Sequence, residues 1–203
     1  MCAVALASCA LAGTAPKPKA DDYPVQARVG DIEIAAAYLV HTLPGESTNF
    51  LVPDYLVVEI AIYPPKSQAV EAFTGQFHVR LNGKKDVLAD TPEMVAMSLK
   101  YPHLGHKGLQ PQVGIGPVIL GREPPNERMP GDQRPNSGKA PDPDRPSPQT
   151  AAEAAVAQAF PDCPCDKAVS GYLYFPYDGR VKSLKSLELI WQRGEERATI
   201  RLF

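Results

Sequence analysis

The chain reads as a mainly β protein, an antiparallel β-sandwich with one or two short helices and a long Pro/Gly-rich insertion. Three observations predict this. Apolar and polar residues alternate with a period of two through the ordered-looking segments. Asn82-Gly83, at the end of one such segment, is the strongest short hairpin signal, because both turn positions favour positive φ. Proline is abundant, 22 in 203 residues, about twice the average usage of roughly 5%, so the chain is poor in helix and rich in turns.

The alternation starts at Asp31-Ile32-Glu33-Ile34 and is strongest in residues 55–63 (YLVVEIAIY). Leu56, Val58, Ile60 and Ile62 share one face, and Tyr55, Val57, Glu59, Ala61 and Tyr63 the other. That is the pattern of a half-buried strand, and Pro64-Pro65 ends it. Residues 75–81 repeat the pattern, with Phe77, Val79 and Leu81 inward and His78 and Arg80 outward. Val87-Leu88 starts the strand returning from the Asn-Gly turn. Thr91 caps a short helix with Pro92 at its first position, a residue whose missing N–H costs nothing there. Thr150 and Glu153 form a capping box, each satisfying an orphan donor of the other. Ala-rich propensity carries that helix to Phe160, where Pro161 ends it.

Between the helices, residues 104–149 hold ten prolines and seven glycines interleaved with charges. Such a composition buries too little apolar surface to offset chain entropy, so a long irregular loop or linker is expected. Residues 113–120 (VGIGPVIL) are apolar enough to lie on the folded body. Three strands follow. The first is SGYLYF over residues 170–175. The second carries Leu187, Leu189 and Trp191 on one face. The last has Ala198, Ile200 and Leu202 inward, after a turn at Gly194. A unit this small rarely folds alone. Its apolar face therefore needs the first half of the chain, and strands from both sides of the insertion are expected to form one domain over residues 23–203, with about 10 Å between its sheets.

Residues 1–22 read as a leader and linker. MCAVALASCALAG carries no charge and is too short to span a bilayer, which takes about 20 residues; short apolar runs before small residues mark export signals. Leu6-Ala7-Ser8-Cys9 has the form of a lipobox, in which Cys9 would carry lipid. Ala10-Leu11-Ala12, just before Gly13, fits cleavage after a small-x-small run. No Lys or Arg precedes the apolar run, a departure from both patterns that a start codon placed too late accounts for. The expected address is outside the cytoplasm: periplasm, outer membrane through a lipid, or extracellular.

The order of these segments (VGDIEIAAAYL, YLVVEIAIY, the Asn-Gly strand, then GYLYFPYDGRVKSLKSLELIW) resembles the immunoglobulin-like, telokin-like extracellular domains of bacterial secreted proteins and lipoproteins. The resemblance covers roughly residues 29–88 and 170–203 and rests on pattern; the Pro/Gly-rich insertion departs from it. It implies a sandwich fold and an envelope location, and supplies no catalytic residues.

Net charge is −2, from 21 Lys and Arg against 23 Asp and Glu. No cationic excess exists to neutralise phosphates, which argues against a nucleic-acid partner. No Gly-x-Ser-x-Gly elbow, HExxH or phosphate loop occurs, so no catalytic residue is assigned, no cofactor is expected and the chain reads as a non-enzyme. Glu59 and Glu188 sit mid-strand and are expected to face water or a cross-strand cation. Cys163-Pro164-Cys165 and His103-Leu104-Gly105-His106 together suit a soft metal or redox chemistry, the alternative function. Their spacing departs from usual zinc motifs, and in an oxidising compartment the two cysteines pair with each other or between chains. Tyr172, Tyr174 and Tyr177 are candidates for a binding surface, with Leu173 and Phe175 inward. The expected function is a structural or binding role toward an envelope protein or polymer.

Overall fold

A computed structural model describes residues 13–66, 68–102 and 149–203. Residues 1–12, with Cys9, residue 67, and residues 103–148, with His103 and His106, lie outside these residues.

The protein is mainly β. In chain order the strands are β1 (Val25–Val29), β2 (Ile32–Tyr38), β3 (Thr42–Pro44), β4 (Asn49–Leu51), β5 (Tyr55–Tyr63), β6 (Val70–Ala72), β7 (Phe77–Leu81), β8 (Lys85–Leu88), β9 (Cys163–Cys165), β10 (Val169–Pro176), β11 (Leu187–Arg193) and β12 (Glu196–Arg201). The helices are α1 (Pro92–Lys100) and α2 (Ala151–Ala157). Two four-stranded antiparallel sheets carry the fold, in the orders β1-β2-β5-β10 and β12-β11-β7-β8. Both mix strands from the two sides of the insertion. Ile60 lies opposite Gly171, and Phe77 opposite Trp191.

The sheets bury a common core. Ile34, Leu56, Val58, Ile60 and Ile62 from the first meet Phe77, Val79, Leu187, Leu189, Trp191 and Ile200 from the second, with Leu173 and Phe175 beside them. The core-facing residues of β5, β7, β11 and β12 are those the sequence alternation selects. Trp191, fully buried, donates its indole N–H to Gln76 Oε1 at 3.0 Å, which removes the cost of burying an unpaired donor. At the β7–β8 turn, Asn82 and Gly83 have φ of 52° and 67°. Asn82 Oδ1 accepts from the Lys185 and Ser186 amides at 2.6 and 3.3 Å, tying this turn to the start of β11.

One expectation fails on β5. Its second face is not solvated: Tyr55, Val57 and Ala61 are fully buried. A third layer covers the first sheet. Helices α1 and α2, with the β3–β4 hairpin, bury Val57, Tyr55, Tyr172 and Tyr174 against Val95, Ala154, Ala155 and Leu43. Residues 13–23 run across the rest of that face, and Ala20 and Tyr23 pack on Ala35, Ala37 and Ala61. A sheet buried on both faces selects near-continuous apolar runs, as YLVVEIAIY and GYLYF are.

The capping interactions form as the residues predict. Thr91 Oγ1 accepts from the Met94 amide, and Thr150 and Glu153 bond reciprocally. Helix α2 ends at Ala157, three residues earlier than expected, because β10 competes for its last turn. The Tyr172 amide donates to Gln158 O at 2.9 Å, and the Phe160 amide to Tyr172 O at 3.0 Å. Phe160 then enters the core, edge-on to Phe77.

Candidate functional site

Each residue singled out above has a definite place or falls outside the described residues. Cys163 and Cys165 lie on β9, whose backbone pairs with Ala72 and Val70 of β6. An extended strand holds alternate Cα atoms about 6.6 Å apart, at the upper limit for a disulfide. Cys165 is only 2% exposed and belongs to the core between the sheets. Among the described residues no group of three or more His, Cys, Asp or Glu side chains could hold a metal ion.

Tyr172 and Tyr174 point away from Leu173 and Phe175, as the strand period requires, but they do not reach the surface. They are 7% and 1% exposed, because the helical layer covers them. The Tyr174 hydroxyl donates to Ala155 O of α2 at 3.0 Å, and its ring meets Tyr55 edge-on. Burial pushes the Tyr172 hydroxyl up to about 12 and that of Tyr174 higher still. These tyrosines bolt the helices to the sheet. Tyr177, half-buried beyond the end of β10, bonds Arg180 O and Ser183 Oγ and closes the turn before β11.

Glu59, expected to meet water or a cation, lies half-buried under residues 13–23. Tyr23 Oη donates to its Oε1 at 3.4 Å. Desolvation raises the Glu59 pKa above the ordinary glutamate value, and the charge of Lys17 and the Tyr23 hydroxyl partly oppose that rise. Lys17 lies over the Tyr23 ring, and its carbonyl accepts from Tyr63 Oη at 2.8 Å. Glu188, by contrast, sits between Arg80 and Arg201 in the ladder, facing cross-strand cations.

One concavity among the described residues was not visible in the sequence. It is a groove of about 480 Å³ between α1 and α2, open to solvent and lined by Ala96, Met97, Lys100, Ala152, Val156 and Ala157, with Glu153 at its end. Alanines on both helices leave the space. Met97 and Val156 stand 46% and 41% exposed on its walls. The Glu153 carboxylate is held by the Thr150 amide at 2.9 Å, an interaction that keeps its pKa low. Lys100 is thus the charged side chain in the lining that no helix cap engages, its ammonium 5.6 Å from the Tyr101 ring centre. The sequence signal that could have found the groove is the pair of small-residue positions, Ala96 and Ala152, each close to an apolar residue that does not point to the core.

Comparison with protein-family models, with curated proteins and with solved structures returned no match, so the fold and the site rest on the geometry.

Proposed function

We propose that the chain is an exported, non-catalytic β-sandwich module of the cell envelope that holds an apolar segment of a partner protein between α1 and α2. The groove carries this reading. Its walls are aliphatic and its floor is alanine, the form in which helical partners seat their apolar anchors. The lysine at its rim favours a segment carrying an acidic residue, since opposite charges at a rim steer and orient association. The finer fold reading, an immunoglobulin-like and telokin-like arrangement, is supported by two antiparallel sheets between which the chain passes repeatedly, from β5 to β7 and from β8 to β10. Export is supported by the uncharged apolar run ahead of Gly13.

Photo-crosslinking in the cell that makes the protein tests this. A crosslinking side chain replaces Met97, and a second version places it at Arg28, exposed on β1. The reading expects an adduct with another protein at Met97, absent at Arg28 and abolished by Ala152→Trp in a variant that keeps its thermal transition. Adducts confined to the chain's own residues 103–148 or to a second copy would overturn the partner assignment. So would equal labelling at both positions.

A further inference from the structure

We infer that the export leader is cut between Ala12 and Gly13, and that the α-ammonium so released docks on the C-terminal end of α2. The inference rests on the export reading proposed above and chooses between the two cuts the sequence allows.

Three observations converge on Gly13. Its amide donates to Ala157 O at 3.0 Å, at the last residue of α2. Carbonyls there have no intrahelical donor and carry the negative end of the helix dipole, so a positive charge is better placed at this point than a neutral amide. Gly13 also adopts φ of +117°, and a Cβ would stand 2.6 Å from Ser170 O. Only glycine fits there. The chain is then held without a break. The Thr14 amide donates to Ser170 O at 2.9 Å and its carbonyl accepts from Ser170 Oγ at 2.9 Å. The two hydroxyls meet at 2.7 Å, and Lys17 and Tyr23 carry the segment on across Glu59.

The sequence supplies the other half. Ala10-Leu11-Ala12 satisfies the small-x-small preference of a leader cut at this bond. A peptidase of the exporting cell adds water across the Ala12–Gly13 amide. The C–N bond breaks, the carboxylate stays on Ala12, and the amine leaves on Gly13 and is protonated. Folding then lays the new terminus on Ala157 O. A lipid on Cys9 would instead leave four residues, about 14 Å at full extension, between the membrane and a body already fixed at Gly13.

The experiment is intact-mass measurement and N-terminal sequencing of the protein recovered from the envelope and medium of the cell that makes it. A mass equal to residues 13–203, unmodified and starting at Gly13, is expected. An acylated Cys9, or a first residue other than Gly13 in exported protein, overturns the cut and leaves the export reading standing. An intact Met1 in the cytoplasm overturns both. Docking has its own readout: amine-selective acylation of the Gly13 terminus followed against pH. The expected apparent pKa lies above the roughly 7.7–8.0 of an ordinary α-amine. An ordinary value removes the contact with α2.

Discussion

Replacing Gly171 by alanine tests the seam where the segment after α2 is sewn onto β10. Gly171 points to the same face as Leu173 and Phe175, and the main chain of residues 159–160 crosses directly above it. A Cβ there would lie 2.5 Å from Phe160 Cα, 2.6 Å from its nitrogen and 2.8 Å from the Ala159 carbonyl carbon. Carbon atoms pack at about 3.5–4.0 Å, so the crossing backbone must retreat by roughly an ångström. Retreat loosens the two bonds between Tyr172 and residues 158 and 160, each worth about 1 kcal/mol. It also displaces the Phe160 ring from its place on Phe77, a misfit of about 1–3 kcal/mol. A loss of about 3 kcal/mol is expected, lowering Tm by roughly 6–12 °C for a chain of this size. Thermal unfolding by circular dichroism measures it, with Gly75→Ala as the control. A Cβ at Gly75 meets nothing within 4 Å, so its change should stay within about 0.5 kcal/mol. If Gly171→Ala melted with the control, the crossing segment would not lie where it is described.

Three further outcomes follow from the third layer and the turns. At neutral pH, Glu59→Gln should raise Tm, because the folded protein bears the cost of a charged carboxyl under residues 13–23. Glu59 has a folded pKa above its unfolded one, so that cost is relieved as pH falls toward the ordinary glutamate range and the advantage of Gln shrinks with it; a Gln variant less stable at neutral pH would contradict the burial. The buried tyrosines give the alkaline counterpart. Tyr172 is raised to about 12, with Tyr55 and Tyr174 higher. The stability they lend is intact below about 10, the ordinary phenol value, and is lost above it. Tyrosinate absorbance from these residues should therefore appear together with loss of the circular dichroism signal, and ionisation in the folded protein near the ordinary value would refute their burial. Asn82→Gly relieves the positive φ but removes the acceptor for the Lys185 and Ser186 amides. It should destabilise by about 1–2 kcal/mol, measured by urea unfolding, whereas a stabilised variant would mean that the turn is not tied to β11.

Much of the sandwich was legible because its strands have a period, and the caps because they depend on two or three residues in fixed positions. The β5 and β7 faces, the Asn-Gly turn and both N-caps are of this kind. The covering layer was harder to read. The alternation puts Tyr55, Val57, Glu59, Ala61 and Tyr63 on the outer face of β5, yet four of those five residues have large or apolar side chains. The same weight given to Tyr172 and Tyr174 would have placed them under a helix instead of in water. Strands β3, β4, β6 and β9 have three residues each, too few to show a period. The early end of α2 depends on a contact with β10, which local propensity does not contain. The groove between the helices is a tertiary feature, invisible until α1 and α2 are placed side by side.

Each four-stranded sheet joins strands from before residue 103 to strands from after residue 148. An engineered protease site within residues 103–148 tests it. After complete cleavage, the fragments ending and beginning at the cut should co-elute on gel filtration, keep Trp191 fluorescence buried and unfold in a single transition. Two fragments that separate in native buffer, each retaining its own folded signal, would contradict it.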